Sequence, residues 1–267
     1  MSLHRDTHRS PWQLNSGCEC VPTYPCRSLT SLNRMPRSGG DPTACGAAAA
    51  ATTRLRFMTA VMILPQRNPL VLAKEVATLD YLSGGRIELG IGVGWLKEEF
   101  EALGIPFERR GKHADEYVAA MRALWASDGA SFTGEFVNFD KVSCNPKPVA
   151  KSVPIVVGGH SEAAARRAGR LGDGFFPSIG AQVDTMPLLD VVRRSAEQAG
   201  RDPAMVELIL GCPGALPNSG FDPRAAVEER IARGAGRLAL PVTAFLPNLE
   251  TTLARFGEEI IRPYANA

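Results

Sequence analysis

The hydrophobic pattern of the chain changes character near residue 50. Residues 1–46 are rich in Ser, Arg, Pro, Gly, Cys and Thr, and no helical period holds there over two turns. By composition this segment is predicted to be irregular or disordered. From residue 47 to residue 267 the pattern is that of one domain. Arg54–Met62 reads as a strand entering a buried interior. Asn68 is placed to cap a helix with Pro69 in its first turn, and Leu70, Ala73, Val76, Ala77 and Leu79 follow at helical spacing until Ser83-Gly84-Gly85 stops them. Arg86–Val93 is a second strand. A helix from about Arg109 to Ala126 carries Tyr117, Val118, Met121, Leu124 and Trp125 on one stripe. A short hairpin is predicted over Phe132–Phe139, turning at Thr133-Gly134-Glu135. Further strands fall at Val153–Val157, Gly174–Pro177, Val206–Leu210 and Arg237–Leu240. Helices follow from the Ser161 cap to Gly172, over Leu188–Ala199, from Asp222-Pro223 to Gly234, and over Leu249–Ile261.

Six strand–helix units at intervals of about thirty to fifty residues have the size of βαβ repeats. Their strands are apolar at successive rather than alternate positions, which belongs to a parallel sheet covered on both faces. Periodicity alone fits an open doubly wound sheet and an α/β barrel equally, the barrel requiring two more units before residue 54. A length of 267 residues suits one large domain. The 45% hydrophobic and 22% charged content is that of a soluble protein, and a net charge of +2 gives no reason to expect nucleic acid as a partner. No apolar run is long enough for a membrane span, and no apolar stretch follows His4, Arg5, His8 and Arg9, so a cytoplasmic protein is expected. Cys18, Cys20, Cys26, Cys45, Cys144 and Cys212 form no paired C-x-x-C spacing, and reduced thiols without a metal are the expectation.

Two glycine clusters stand at strand ends. Leu89-Gly90-Ile91-Gly92-Val93-Gly94-Trp95 leaves one strand face without side chains, so another backbone or a flat ligand can approach there. As a dinucleotide fingerprint it lacks the third glycine at its proper place, and a simple packing device is the competing reading. Val156-Val157-Gly158-Gly159-His160-Ser161 runs a buried strand into a helix cap, where free N–H groups and the helix dipole suit a phosphate. An ordinary strand-to-helix turn is the competing reading there. His160 faces phosphate or solvent more readily than it catalyses. His113, Asp173, Lys74, Glu75 and Asp80 read as helix-surface, turn and capping residues. Trp95, Glu98 and Glu99 sit where the mouth of a barrel would be, or else simply begin the next helix.

Taken together, Asn68-Pro69, Ala73-Lys74, Ala77-Thr78-Leu79-Asp80, Ser83-Gly84-Gly85-Arg86 and Leu89-Gly90-Ile91-Gly92-Val93-Gly94-Trp95 resemble the luciferase-like monooxygenase superfamily. Pro154-Ile155, Gly158-Gly159, Arg167-Ala168 and Gly172-Asp173-Gly174 are similar to its phosphate-side signature. Gly94-Trp95, Glu98-Glu99-Phe100, Arg110-Gly111, Asp115-Glu116 and Leu124-Trp125 resemble the actinobacterial branch that uses the deazaflavin coenzyme F420. The resemblance runs from about residue 47 to the C-terminus. It implies a TIM-type (β/α)8 barrel with coenzyme F420, or FMN as the alternative, at the C-terminal mouth. It further implies hydride transfer to or from a small organic substrate, or oxygen chemistry with FMN, and a possible homodimer. Thr59, Ala60 and Val61, followed by Met62, would form a bulge behind the ring, often with a cis non-prolyl peptide. Val93, Gly94 and Glu98 would lie near the ring or ribityl chain, and Gly158, Gly159, His160 and Ser161 at the phosphate. Trp95 falls where a sugar-phosphate dehydrogenase of this family carries a catalytic glutamate, so that acid–base role is not implied and no catalytic residue is assigned.

Six of eight strand–helix units are matched, beginning with the family's third strand. Residues 1–46 hold no convincing first strand, first helix or second strand, which predicts a barrel incomplete at its N-terminus and points to truncation or a shifted frame upstream. Three readings therefore compete. The first is an F420- or FMN-dependent oxidoreductase, the second a catalytically impaired barrel or pseudoenzyme, and the third and weaker an open-sheet protein binding a phosphorylated small molecule.

Overall fold

A computed structural model describes residues 42–177 and 185–264. Its main sheet is parallel and runs β1, β3, β6, β7, β8, β9, with β2 also paired to β3. The strands are β1 (Phe57–Met58), β2 (Met62–Ile63), β3 (Ile87–Gly92), β6 (Ile155–Gly158), β7 (Gly174–Phe176), β8 (Glu207–Gly211) and β9 (Arg237–Ala239). Between them lie α2 (Pro69–Ser83), α3 (Lys97–Ala102), α4 (Arg110–Ala126), α5 (Glu162–Leu171), α6 (Met186–Gln198) and α7 (Pro223–Ala232). A separate antiparallel hairpin pairs β4 (Ala130–Thr133) with β5 (Asn138–Val142), and α8 (Leu249–Phe256) follows β9. The result is a curled half-barrel of six strand positions, in agreement with the six units read from the sequence.

The expected caps form. The Asn68 side chain accepts from the N–H groups of Leu70 and Val71 at 3.0 and 3.3 Å, and Gly84 ends α2 at a φ of 71°, a conformation that favours glycine. Ser161 accepts from Ala164 N and Asp222 from Arg224 N. Along β3 the side chains alternate. Ile87, Leu89 and Ile91 join the large core between sheet and helices, together with fully buried Trp125, whose indole N–H reaches the Ala73 carbonyl at 2.9 Å. The opposite face of the sheet carries a smaller apolar cluster of Val156, Phe176 and Ile209, with Met58, Ala60, Val61 and Ala239 against it.

Three expectations need correction. The strand expected over Arg54–Met62 is broken into β1 and β2. Register shows why: Met58 pairs with Glu88 and Met62 with Ile91, four steps on one strand against three on the other, so one residue bulges out. Irregular structure expected to residue 46 ends earlier, because α1 (Pro42–Ala50) begins inside that segment and buries Cys45 and Ala48. Its alanine run favours helix but has no polar face to give a readable period. Asp80, expected to be a solvated charge, is buried, and its carboxylate accepts from Ile87 N at 3.4 Å and Val149 N at 2.9 Å, fixing the entry to β3. Asp173 lies at the bend before β7, as the sequence predicts, and its carboxylate there accepts from Arg122 and Ile155 N at 2.8 and 2.9 Å. Cys18, Cys20 and Cys26 lie outside the described residues.

The inward face also carries charge at the strands' N-terminal ends. Glu88 of β3 is buried, bonded to Arg56 at 2.9 Å and to Arg237 of β9 at 2.7 Å, and Arg237 also holds Glu207 at 2.5 Å. Four strand spacings separate β3 from β9, which in a flat sheet would be about 19 Å. One arginine spans that gap because the sheet curls. Burial opposes ionisation of Glu88, but hydrogen bonds and charge from Arg237 and Arg56 outweigh it and hold the carboxyl below its ordinary 4.5.

Candidate functional site

The C-terminal ends of β1–β2, β3 and β6 meet around one side chain, Val61. The peptide bond between Ala60 and Val61 is cis and lies within the bulge. The bulge is fastened at its base, where Thr59 N donates to Glu88 O at 3.3 Å and the Thr59 hydroxyl donates to Gly90 O at 2.8 Å. Gly90 permits this approach, since a Cβ there would overlap the Thr59 carbonyl oxygen. The Val61 isopropyl group then lies across two further glycines. A Cβ at Gly92 would sit 3.0 Å from it and one at Gly158 2.5 Å from it. The glycines read from the sequence as two separate clusters thus share a purpose, which is to seat the bulge. Val61 remains half-buried and presents an apolar surface at the mouth.

Gly158 leaves room for the Val61 side chain. The Gly159 N–H is already donated to Phe176 O at 3.1 Å, and Ser161 Oγ is engaged as the cap of α5. Of that turn, the N–H groups of Glu162 and Ala163, in the first turn of α5, have no acceptor within the helix and remain for an anion. Gly159, at a φ of 125°, brings the chain to that end of the helix. His160 and Ser161 are exposed beside it. Val93 continues the outward-facing series of Ile87, Leu89 and Ile91 and packs on the large core, so its side chain points away from the mouth. The two-residue alternation of a strand decides this.

Gly94 lies between two walls: a Cβ there would meet Phe100 at 2.7 Å and Ile63 at 2.9 Å, and its φ is 76°. After it Trp95 is 62% exposed, and Glu98 is exposed on α3. Glu99 accepts from the Gln66 amide at 3.4 Å. The structure therefore gathers Thr59, Ala60, Val61, Gly94, Gly158 and Gly159 around the strand ends, puts His160 and Ser161 at the α5 terminus, and leaves Glu98 at the rim.

Sequence reasoning missed the ties that hold these parts. At the start of α4, Arg110 bonds to Gly94 O. Arg167 of α5 bonds to Gly111 O at 3.1 Å and pairs with Asp115, which also holds Arg170 at 2.6 Å. Glu116 accepts three backbone N–H groups of the hairpin turn, from Glu135, Phe136 and Val137, at 3.0, 2.7 and 2.7 Å. One helix thus fixes the mouth, α5 and the hairpin. His113, expected at the surface, packs its ring 3.7 Å from Phe136, and burial and the Arg109 charge push it below its usual 6.5 against Glu116 and Glu135. The Arg-Gly…Asp-Glu spacing was the signal available; its meaning needed the partners.

Comparison with known proteins agrees with this architecture. The sequence profile of luciferase-like monooxygenases matches residues 37–233. An uncharacterized protein of Mycobacterium tuberculosis is 41% identical over 57% of this chain and 52% of its own, so the chain spans about half the length of such curated relatives. An FMNH2-dependent dimethylsulfone monooxygenase of Pseudomonas putida is 37% identical over 51% of this chain and 40% of its own. The solved coenzyme F420-dependent tetrahydromethanopterin reductase of Methanopyrus kandleri superposes with a TM-score of 0.70 at 17% identity, covering 84% of this chain and 87% of its own, a likeness of fold. With its profile match, its half-barrel sheet and its bulge at the mouth, this chain belongs to the luciferase-like monooxygenase family.

Proposed function

We propose that the protein is an oxidoreductase that binds coenzyme F420 and transfers hydride between its deazaflavin ring and a small organic substrate. The observation that carries this reading is the bulge at Ala60-Val61, seated over Gly92 and Gly158, which offers a flat apolar support at the C-terminal end of the strands. Parallel α/β sheets bind their ligands at that end. The residues present fit a ring with an anionic tail. Val61 would lie behind the ring, Gly94 beside it, and the open N–H groups of Glu162 and Ala163 would meet the phosphate with the dipole of α5 behind them. When bound, the coenzyme supplies a carbon that accepts or gives hydride. The chain's part is to support the ring, orient it and keep water from one of its faces. The motifs around Gly94-Trp95 and Arg110-Gly111 favour F420. FMN is the second reading, favoured by the P. putida relative.

Titrating the purified protein with each coenzyme, followed by absorbance and fluorescence, tests this. Saturable binding of F420, weaker or absent for FMN, is expected. Failure to bind either at tens of micromolar while circular dichroism reports a folded α/β protein would reject it in favour of a non-catalytic barrel.

A further inference from the structure

The turn that follows β3 at the mouth is clamped from outside by a closed ring of contacts. Arg110 Nε donates to Gly94 O at 3.0 Å. The same guanidinium lies over the Phe107 ring, 3.8 Å from its centroid, and its Nη1 reaches Phe107 O at 3.4 Å. Phe107 packs edge-on against Phe100 at 5.3 Å and 84°. Phe100 is fully buried and fills the space beside the Gly94 α-carbon. The circuit runs Gly94, Phe100, Phe107, Arg110 and back to Gly94.

The Gly94 carbonyl belongs to the peptide that joins Gly94 to Trp95. Fixing its oxygen fixes the plane of that peptide, and with it the Trp95 Cα and the N–Cα axis about which the Trp95 side chain swings. Trp95 needs such a constraint, because it is 62% exposed and stacks on no aromatic or cationic group among the described residues. Backbone, not packing, is what anchors its indole.

We propose that Arg110 is a positioning residue, which holds the Gly94–Trp95 peptide so that the Trp95 indole stands as a flat wall at the mouth, over the bound ring system. The inference rests on the coenzyme reading above for what Trp95 covers, and on geometry alone for how Trp95 is held. An arginine is required because one planar group stacks on Phe107 while its edge donates to Gly94; a lysine ammonium cannot do both. Arg110 touches neither coenzyme nor substrate and acts through Trp95.

The test begins on the coenzyme-free protein in a Trp12→Phe background. Trp125 is fully buried, so Trp95 is then the exposed indole. Time-resolved fluorescence anisotropy of Arg110→Met and Arg110→Lys is compared with the parent. The subnanosecond amplitude of Trp95 motion is expected roughly to double in Arg110→Met and to rise nearly as much in Arg110→Lys. The dissociation constant for F420 is expected to weaken about tenfold, the worth of one charge-assisted hydrogen bond to a backbone carbonyl. A fall in Tm with Trp95 motion unchanged in both variants would overturn the proposal, leaving Arg110 as ordinary helix packing. If Arg110→Met does not fold, Arg110→Lys and Phe107→Leu carry the same readout. If Trp95 loosens but the parent binds neither coenzyme, the coenzyme reading falls and the positioning of Trp95 by Arg110 stands.

Discussion

The two sides of the sheet, β3 with β6 and β8 with β9, are built from similar apolar runs yet end in different environments. All four residues of β6 are buried, whereas all three of β9 are only half-buried. Behind β3 and β6 stands one large core that reaches α2, α4, α5 and α6, while β9 rests on a small cluster around Cys212, Ala215, Val227 and Ile260. Burial of a strand depends on neighbours to both sides. β3 and β6 have them, and β9 has a partner on one side among the described residues. The glycines differ as well. On the first side Gly90, Gly92 and Gly158 are absent side chains that admit a second backbone and Val61. The site stands on the rigid side, and the weaker side is joined to it by the Arg237–Glu88 pair.

The largest effect should come from Gly90→Ala, which forces a methyl group into the Thr59 carbonyl and should cost at least about 3 kcal/mol or prevent folding, read by urea denaturation and soluble yield. Leu89→Ala on the buried side should cost about 3 kcal/mol and Leu238→Ala on β9 about 1 kcal/mol, since the second site is already half open to water. Equal losses would erase the contrast between the two sides. Glu88→Gln should cost about 2 kcal/mol, less than a fully buried pair because both arginines are partly exposed. The sign of its pH dependence follows from the lowered Glu88 carboxyl. Its stabilising contribution is full above 4.5 and is lost as pH falls through the lower folded value, so the wild-type should lose stability below 4.5 and the variant should lose less over that window. The smallest change in Tm is expected from Gly158→Ala, which displaces Val61 and should instead be read in coenzyme binding, weakened about tenfold, or about 1.4 kcal/mol.

Much of this was legible in the sequence. Each strand–helix unit carries its own period and its own punctuation, so Asn68, Ser161, Asp222 and Gly84 announced their caps locally. The bulge at Thr59–Met62 was expected from family likeness, not from the pattern, which read as one strand. Short α3 and alanine-rich α1 have no period long enough to see. Asp80 looked like any helix carboxylate because its acceptors' partners, Ile87 and Val149, come from two other segments, one of them 69 residues away.

By itself the sequence determined the order of the six strand–helix units, the parallel character of the sheet and the family, because each rests on local composition and on spacing within a few turns of chain. Only the tertiary structure decided which face each residue serves. Val93 falls on the core side by strand alternation. Gly92 and Gly158, 66 residues apart, form one seat because β3 and β6 are neighbours. Glu88 meets Arg237 across 149 residues because the sheet curls. Such meetings depend on register and curvature, which no window of sequence contains.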